Sequence, residues 1–171
     1  MKIKFIYLVI ILSVGIQLEL NAQTQSPLKK GDIVPNFTVV DEKGNDISLE
    51  SYKGKVVLLN FTATWCGPCW ETYTPMDDLQ KQYQDDLVII SFHMDNMKNK
   101  WKKRAVSSGI NFDVISIWDS ENKKEVFDSF APNMFPSFVL LDQNRKILKK
   151  WGGNFEKRLR KNVKKVMRRF K

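Results

Sequence analysis

Two stretches of the chain are apolar at nearly every position: KVVLLNF at residues 55–61 and DLVIISFHM at residues 86–94. Runs this short and continuous predict strands buried on both faces, as in a sheet with helices on each side. A further strand is predicted over 134–142, MFPSFVLLD. It is followed by a turn at Asp142-Gln143-Asn144-Arg145 and a returning strand, KILKKW, which Gly152-Gly153 ends. Residues 31–49 read as two short strands about a Lys43-Gly44-Asn45 turn, and residues 110–118 read as extended.

Between these runs the apolar positions take helical spacing. A helix is predicted from Gly67-Pro68 to about Gln84, with Met76, Leu79 and Tyr83 on one side. A basic helix is predicted over 98–108, closed by Gly109, and a short one over 121–130 carrying Val126, Phe127 and Phe130. The last helix places Phe155, Leu159, Val163, Val166, Met167 and Phe170 on one side. Strands alternating with helices imply a layered α/β domain, and the closing hairpin makes its central sheet mixed. There is no internal repeat and no low-complexity block.

The N-terminus breaks this pattern. Lys2 and Lys4 precede FIYLVIIL at residues 5–12, and Asn21-Ala22 offers a cleavage point before Gln23. This is the pattern of a secretory signal peptide over 1–22, followed by a polar linker over 23–30 and a domain over 31–171. The alternative is an uncleaved membrane anchor, but residues 5–18 are short for a span. An extracytoplasmic, periplasmic location follows, where disulfides persist. No cysteine near the cleavage point would take a lipid anchor.

The 171 residues carry 28 Lys or Arg and 19 Asp or Glu, a formal charge of +9. Without Lys2, Lys4 and Glu19 the charge is +8. Residues 155–171 hold nine basic residues against Glu156, which accounts for all of it. The body is therefore neutral, and basicity belongs to the terminal helix alone. That helix reads first as packed on the sheet with a solvated cationic face. A contact with an anionic membrane surface or an acidic partner is the sharper alternative. Nucleic acid is a poor partner for a secreted chain with a neutral body.

Both cysteines, Cys66 and Cys69, lie in FTATWCGPCWETY at residues 61–73. A staple closing so small a loop would stabilise little. A zinc site needs about four ligands, and the chain offers two Cys and one His, His93. The redox reading has a mechanism. A strand runs into the pair and a helix begins there, so Cys66 meets unpaired N–H groups and the positive end of the helix, which favour its thiolate. Pro68 suits a first helical turn. One turn brings Cys69 within reach of Cys66, so Cys66 is the attacking and Cys69 the resolving thiol. No cofactor is called for.

TATWCGPC after a buried strand, with MFPSF further on, resembles the thioredoxin fold. Together with the signal peptide and GDIVPNFTVVDEKGNDISLESYKGKVVLLNF, the chain is similar to extracytoplasmic thiol–disulfide oxidoreductases of the TlpA/ResA kind over residues 31 to about 160. The resemblance implies a thioredoxin fold with an N-terminal hairpin extension and an insert before the FPS strand. It implies that Pro136 is a cis-proline facing the cysteines, with Phe135 free to pair with an extended substrate. Trp65, Gly67 and Pro68 are then active-site support, and Trp65 shares substrate contact with Phe135. It also implies protein disulfide substrates and a membrane electron donor.

Three positions depart from that pattern. Asn60 stands where thioredoxins carry a buried Asp, although the TlpA/ResA kind often has Asn there too, so help in deprotonating Cys69 must come from elsewhere or from water, Glu71 being one candidate. Pro75 lies six residues past Cys69 rather than five, and Trp70 replaces a residue that is commonly charged. His93 reads as a satisfied strand or surface histidine, with a pH-tuning role as the alternative. Trp101 and Trp118 read as packing residues, or Trp118 as part of an exposed partner surface. Two other functions compete. A thiol peroxidase of the redoxin group would need Pro-x-x-x-Thr-x-x-Cys, but Ala63 stands three before Cys66 and Leu59 seven before it. A non-enzymatic binding module would have no use for an intact CGPC.

Overall fold

The two apolar runs form the centre of the sheet. In the computed structural model, which describes residues 26–110, 114–153 and 156–170, β3 (Val56–Thr62) and β4 (Leu87–His93) are buried at every position. They pair in parallel, Val56 opposite Leu87 through Thr62 opposite His93. Outside β4 lies β5 (Ile115–Ile117), also parallel. On the other side β6 (Ser137–Leu141) runs antiparallel to β3, and β7 (Ile147–Gly152) antiparallel to β6. The order β5-β4-β3-β6-β7 is the mixed sheet expected from the alternation of elements. A separate hairpin of β1 (Thr38–Val40) and β2 (Asp46–Ser48) precedes it. Its turn holds Gly44 at φ +86°, and the Asp41 carboxylate accepts from the N–H groups of Lys43 and Asn45.

Strand alternation divides the core into two layers. Val56, Leu58, Leu87, Ile89, Phe138 and Leu140 face one side, against residues from α2 (Tyr73–Gln82), α3 (Lys98–Ser107) and α5 (Glu156–Met167). Val57, Leu59, Phe61, Val88, Ile90 and Phe92 face the other, against α4 (Lys123–Phe130) and the hairpin. No helix among the described residues is long and apolar enough to cross a membrane. The expected signal peptide and Phe155 lie outside the described residues.

Three expectations are corrected. The helix foreseen from Gly67 to about Gln84 is two: α1 (Gly67–Trp70) and α2, with Thr72 at the junction. Pro75 has no N–H to return to the Glu71 carbonyl and is tolerated only in a first turn, so the helix restarts ahead of it. Thr72 closes α1 by donating its hydroxyl hydrogen to the Cys69 carbonyl at 2.7 Å. Trp118 is the packing residue it was first read as, 4% exposed, and only its alternative as an exposed partner surface is corrected. In α5, Leu159, Val163, Val166 and Met167 are buried as their spacing predicts, but Phe170 beyond the helix is 37% exposed. The buried polar Asn162 accepts from Lys149 Nζ at 2.6 Å.

Candidate active site

β3 delivers the chain to the edge of the sheet at Thr62, and Ala63-Thr64-Trp65 turn it into α1. Cys66 caps α1 with extended backbone, Pro68 occupies the first turn, and Cys66 and Cys69 are joined in a disulfide with Cα atoms 5.4 Å apart. The Cys69 N–H donates to Cys66 Sγ at 3.2 Å. Because α1 is a single turn, this local N–H, rather than the field of a long helix, is what favours negative charge on Cys66. Cys66 keeps 5% exposure at the rim, while Cys69 is fully buried beneath it.

The structure brings the other expected residues to the same place. The Phe135–Pro136 peptide is cis, and Phe135 packs against the buried group of Ala63, Cys66 and Cys69. Trp65, 65% exposed, meets Phe135 edge-on at 5.8 Å. Gly67 sits on the open side, where an added Cβ would meet nothing within 4 Å. Glu71 lies exposed at the end of α1. Asn60 is fully buried and donates from Nδ2 to Ser91 Oγ at 2.8 Å, across the register that pairs the two residues.

Sequence reasoning missed Asp95. Its carboxylate accepts from the Thr64 N–H at 2.5 Å, the Thr64 hydroxyl at 3.0 Å and the Met97 N–H at 2.9 Å, tying the cysteine loop to the end of β4. A carboxylate just past a buried parallel strand lies at the carboxyl edge of the sheet, where α/β sites form, and that position was the available signal. Behind the loop the Tyr73 hydroxyl accepts from Trp101 Nε1 at 2.9 Å and lies 3.1 Å from the Thr62 hydroxyl. Burial raises the Tyr73 phenol above its ordinary value.

His93 is a fully buried strand residue rather than a surface one. It stacks on Trp118 with ring centroids 3.7 Å apart and meets Trp101 edge-on at 5.3 Å. Neither ring nitrogen has a hydrogen-bond partner among the described residues. Burial, with the Lys123 ammonium adding to it, lowers its pKa to about 3, so it stays neutral at physiological pH. Lys123 Nζ donates to the carbonyls of Trp118 and His93, pinning α4 to the end of β4.

A strand ending in a C-x-x-C turn, beside a cis-proline loop at the edge of a mixed sheet, defines a thioredoxin-fold thiol–disulfide oxidoreductase. Known proteins agree. Residues 30–169 match the AhpC/TSA family. The chain is 31% identical over 117 residues to the thioredoxin-like protein YneN of Bacillus subtilis, covering 68% of this chain and 67% of that one. It is 28% identical over 144 residues to the thiol-disulfide oxidoreductase ResA of Geobacillus kaustophilus, covering 83% and 80%. A thiol:disulfide interchange protein from Bacteroides sp. superposes with a TM-score of 0.63 at 26% identity, over 80% of this chain and 91% of that one. The chain belongs to the AhpC/TSA family, and within it is a thioredoxin-like oxidoreductase of the TlpA/ResA type.

Proposed function

We propose that this protein reduces disulfides of exported proteins through a Cys66–Cys69 dithiol cycle. The observation that carries the reading is the asymmetry of the pair: Cys66 reaches the rim with its sulfur accepting an N–H, and Cys69 lies wholly beneath it. In the reduced protein Cys66 loses its proton and attacks one sulfur of a substrate disulfide. A Cys66–substrate disulfide forms and the other substrate sulfur leaves as a thiolate. Cys69 then loses its own proton and attacks Cys66 Sγ, releasing the second substrate thiolate, and the two protons given up by the cysteines convert both substrate thiolates to thiols. Two electrons pass to the substrate and the protein is left oxidised. Phe135 and Trp65 border the sulfurs and form the substrate contact, with Gly67, Pro68 and Pro136 shaping the site. A membrane electron donor returns the pair to the dithiol.

The leader-like N-terminus supports a periplasmic setting. The cations Lys157, Arg158, Lys161 and Lys165 of α5, with Arg168 just past its end, are exposed and form no ion pair among the described residues, which supports contact with an anionic membrane surface. The peroxidase alternative has no support in the residues before Cys66, where Ala63 and Leu59 stand in place of the required Thr and Pro.

The test is the reduction potential of the purified protein equilibrated in thiol buffers. A value on the order of −270 mV, at the reducing end of such proteins, is expected; a value near −120 mV would make it a disulfide donor instead. In the same preparation Cys69→Ser should accumulate a mixed disulfide through Cys66, and Cys66→Ser should not. Trapping by the wrong variant would reverse the assignment of the two thiols.

A further inference from the structure

Trp70 follows Cys69 directly and does more than fill the core. Its Nε1–H donates to the Thr64 carbonyl at 3.1 Å. Thr64 is in turn held by Asp95 through both its N–H and its hydroxyl, at 2.5 and 3.0 Å. Residue 64, two before Cys66, is thus fastened to the end of β4, and residue 70, one after Cys69, is fastened to residue 64. The indole is fixed from several sides. It stacks on Trp101 at 5.9 Å, meets Tyr73 edge-on at 5.2 Å and lies under the Arg104 guanidinium at 4.3 Å.

We infer that the Trp70–Thr64–Asp95 tie is a positioning device for the redox couple, stabilising the Cys66–Cys69 disulfide relative to the dithiol and so making the reduced protein a stronger reductant. The inference rests on the reading of this pair as the working couple. The S–S bond closes residues 66–69, and the indole–carbonyl bond closes residues 64–70 around it. Two links that close one loop favour each other, because each removes conformational freedom that the other would otherwise have to remove. In the dithiol the tie keeps Cys69 at a raised effective concentration against Cys66. Loss of two protons and two electrons, the electrons passing to a substrate disulfide that becomes two thiols, then goes further toward completion. Trp70, Thr64 and Asp95 are positioning residues, since none of them exchanges electrons or protons with the substrate.

The experiment is Trp70→Phe, which keeps an aromatic ring and removes the donor, with Asp95→Asn beside it. Asn offers one acceptor oxygen where Thr64 uses two. Each variant and the double variant are equilibrated in thiol buffers, and melting temperatures are taken for the oxidised and reduced forms. Trp70→Phe should weaken the disulfide about tenfold, a potential about 30 mV less negative at 29.6 mV per tenfold. Asp95→Asn should move it the same way by less, and the double variant by less than the sum, because the two act through one tie. The gap in melting temperature between oxidised and reduced forms should shrink in parallel. A tie that only holds the fold would lower both melting temperatures equally and leave the potential unmoved. That result, or a more negative potential, overturns the inference. If Trp70→Phe does not fold, Asp95→Asn decides on the same criterion. Absence of any reversible couple in the unaltered protein would instead strike at the proposed function.

Discussion

His93 makes acid stability a sharp test of the core. A histidine free in the unfolded chain titrates near 6.5, whereas the buried ring titrates at about 3. The sign follows from that difference. Below pH 6.5 the unfolded chain binds a proton at this position that the folded protein refuses, so stability is complete above pH 6.5. It declines as pH falls, until the folded ring itself protonates near pH 3. Each unit of pH within that window costs about 1.4 kcal/mol, which makes about 3 kcal/mol between pH 7 and pH 4. Other groups titrate over this range, so the comparison is with His93→Phe, which retains a flat ring against Trp118 and cannot titrate. Urea unfolding of both proteins at pH 7, 6, 5 and 4 should show the unaltered protein losing about 3 kcal/mol more than the variant. Parallel curves would mean that His93 is solvated or paired in solution, and that its stacking in the Trp101–Trp118 cluster does not exclude water as the geometry implies.

One further outcome follows from the same region and another from the end of β7. Tyr73→Phe removes the hydroxyl that accepts from Trp101 Nε1 and adjoins Thr62. A buried hydrogen-bond partner lost this way costs about 1–3 kcal/mol, measurable by denaturant titration, and an unchanged midpoint would show that the pair contributes nothing. Gly152→Ala places a Cβ 2.5 Å from Met134 Cγ and 2.6 Å from its sulfur. Met134 is 50% exposed and stands beside Phe135, so it should swing outward at a cost within about 1 kcal/mol. If Met134, next to Phe135, extends the substrate contact proposed for Phe135 and Trp65, disulfide exchange with protein substrates should slow while exchange with a small dithiol stays constant; equal slowing of both would refute that extension.

The sheet was legible because its central strands are buried on both faces, which leaves the same apolar run whatever packs on them. The cysteine turn was legible because strand, CGPC and helix are contiguous in the chain. The junction between α1 and α2 was not read, although Pro75 was visible: helical spacing continues through Met76 and Leu79 and conceals the restart. Asn60 and Trp70 were recognisable as departures, but their partners were not. Ser91 lies 31 residues from Asn60, and Trp70 is answered by a backbone carbonyl, which no side-chain pattern reports.

The amino-acid order by itself determined the elements, the alternation that makes the sheet mixed, and the identity of the reacting sulfurs, because each is set by neighbours a few residues apart. Only the tertiary structure decided which residues surround those sulfurs. Phe135 reaches the pair from 66 residues beyond Cys69, Asp95 grips Thr64 across 31 residues, and the pKa of His93 falls below its ordinary value only once burial beside Trp101 and Trp118 has desolvated it. Hydrogen-bond geometry and desolvation depend on distances in space, and those come into being only when β3, β4 and β6 align in register.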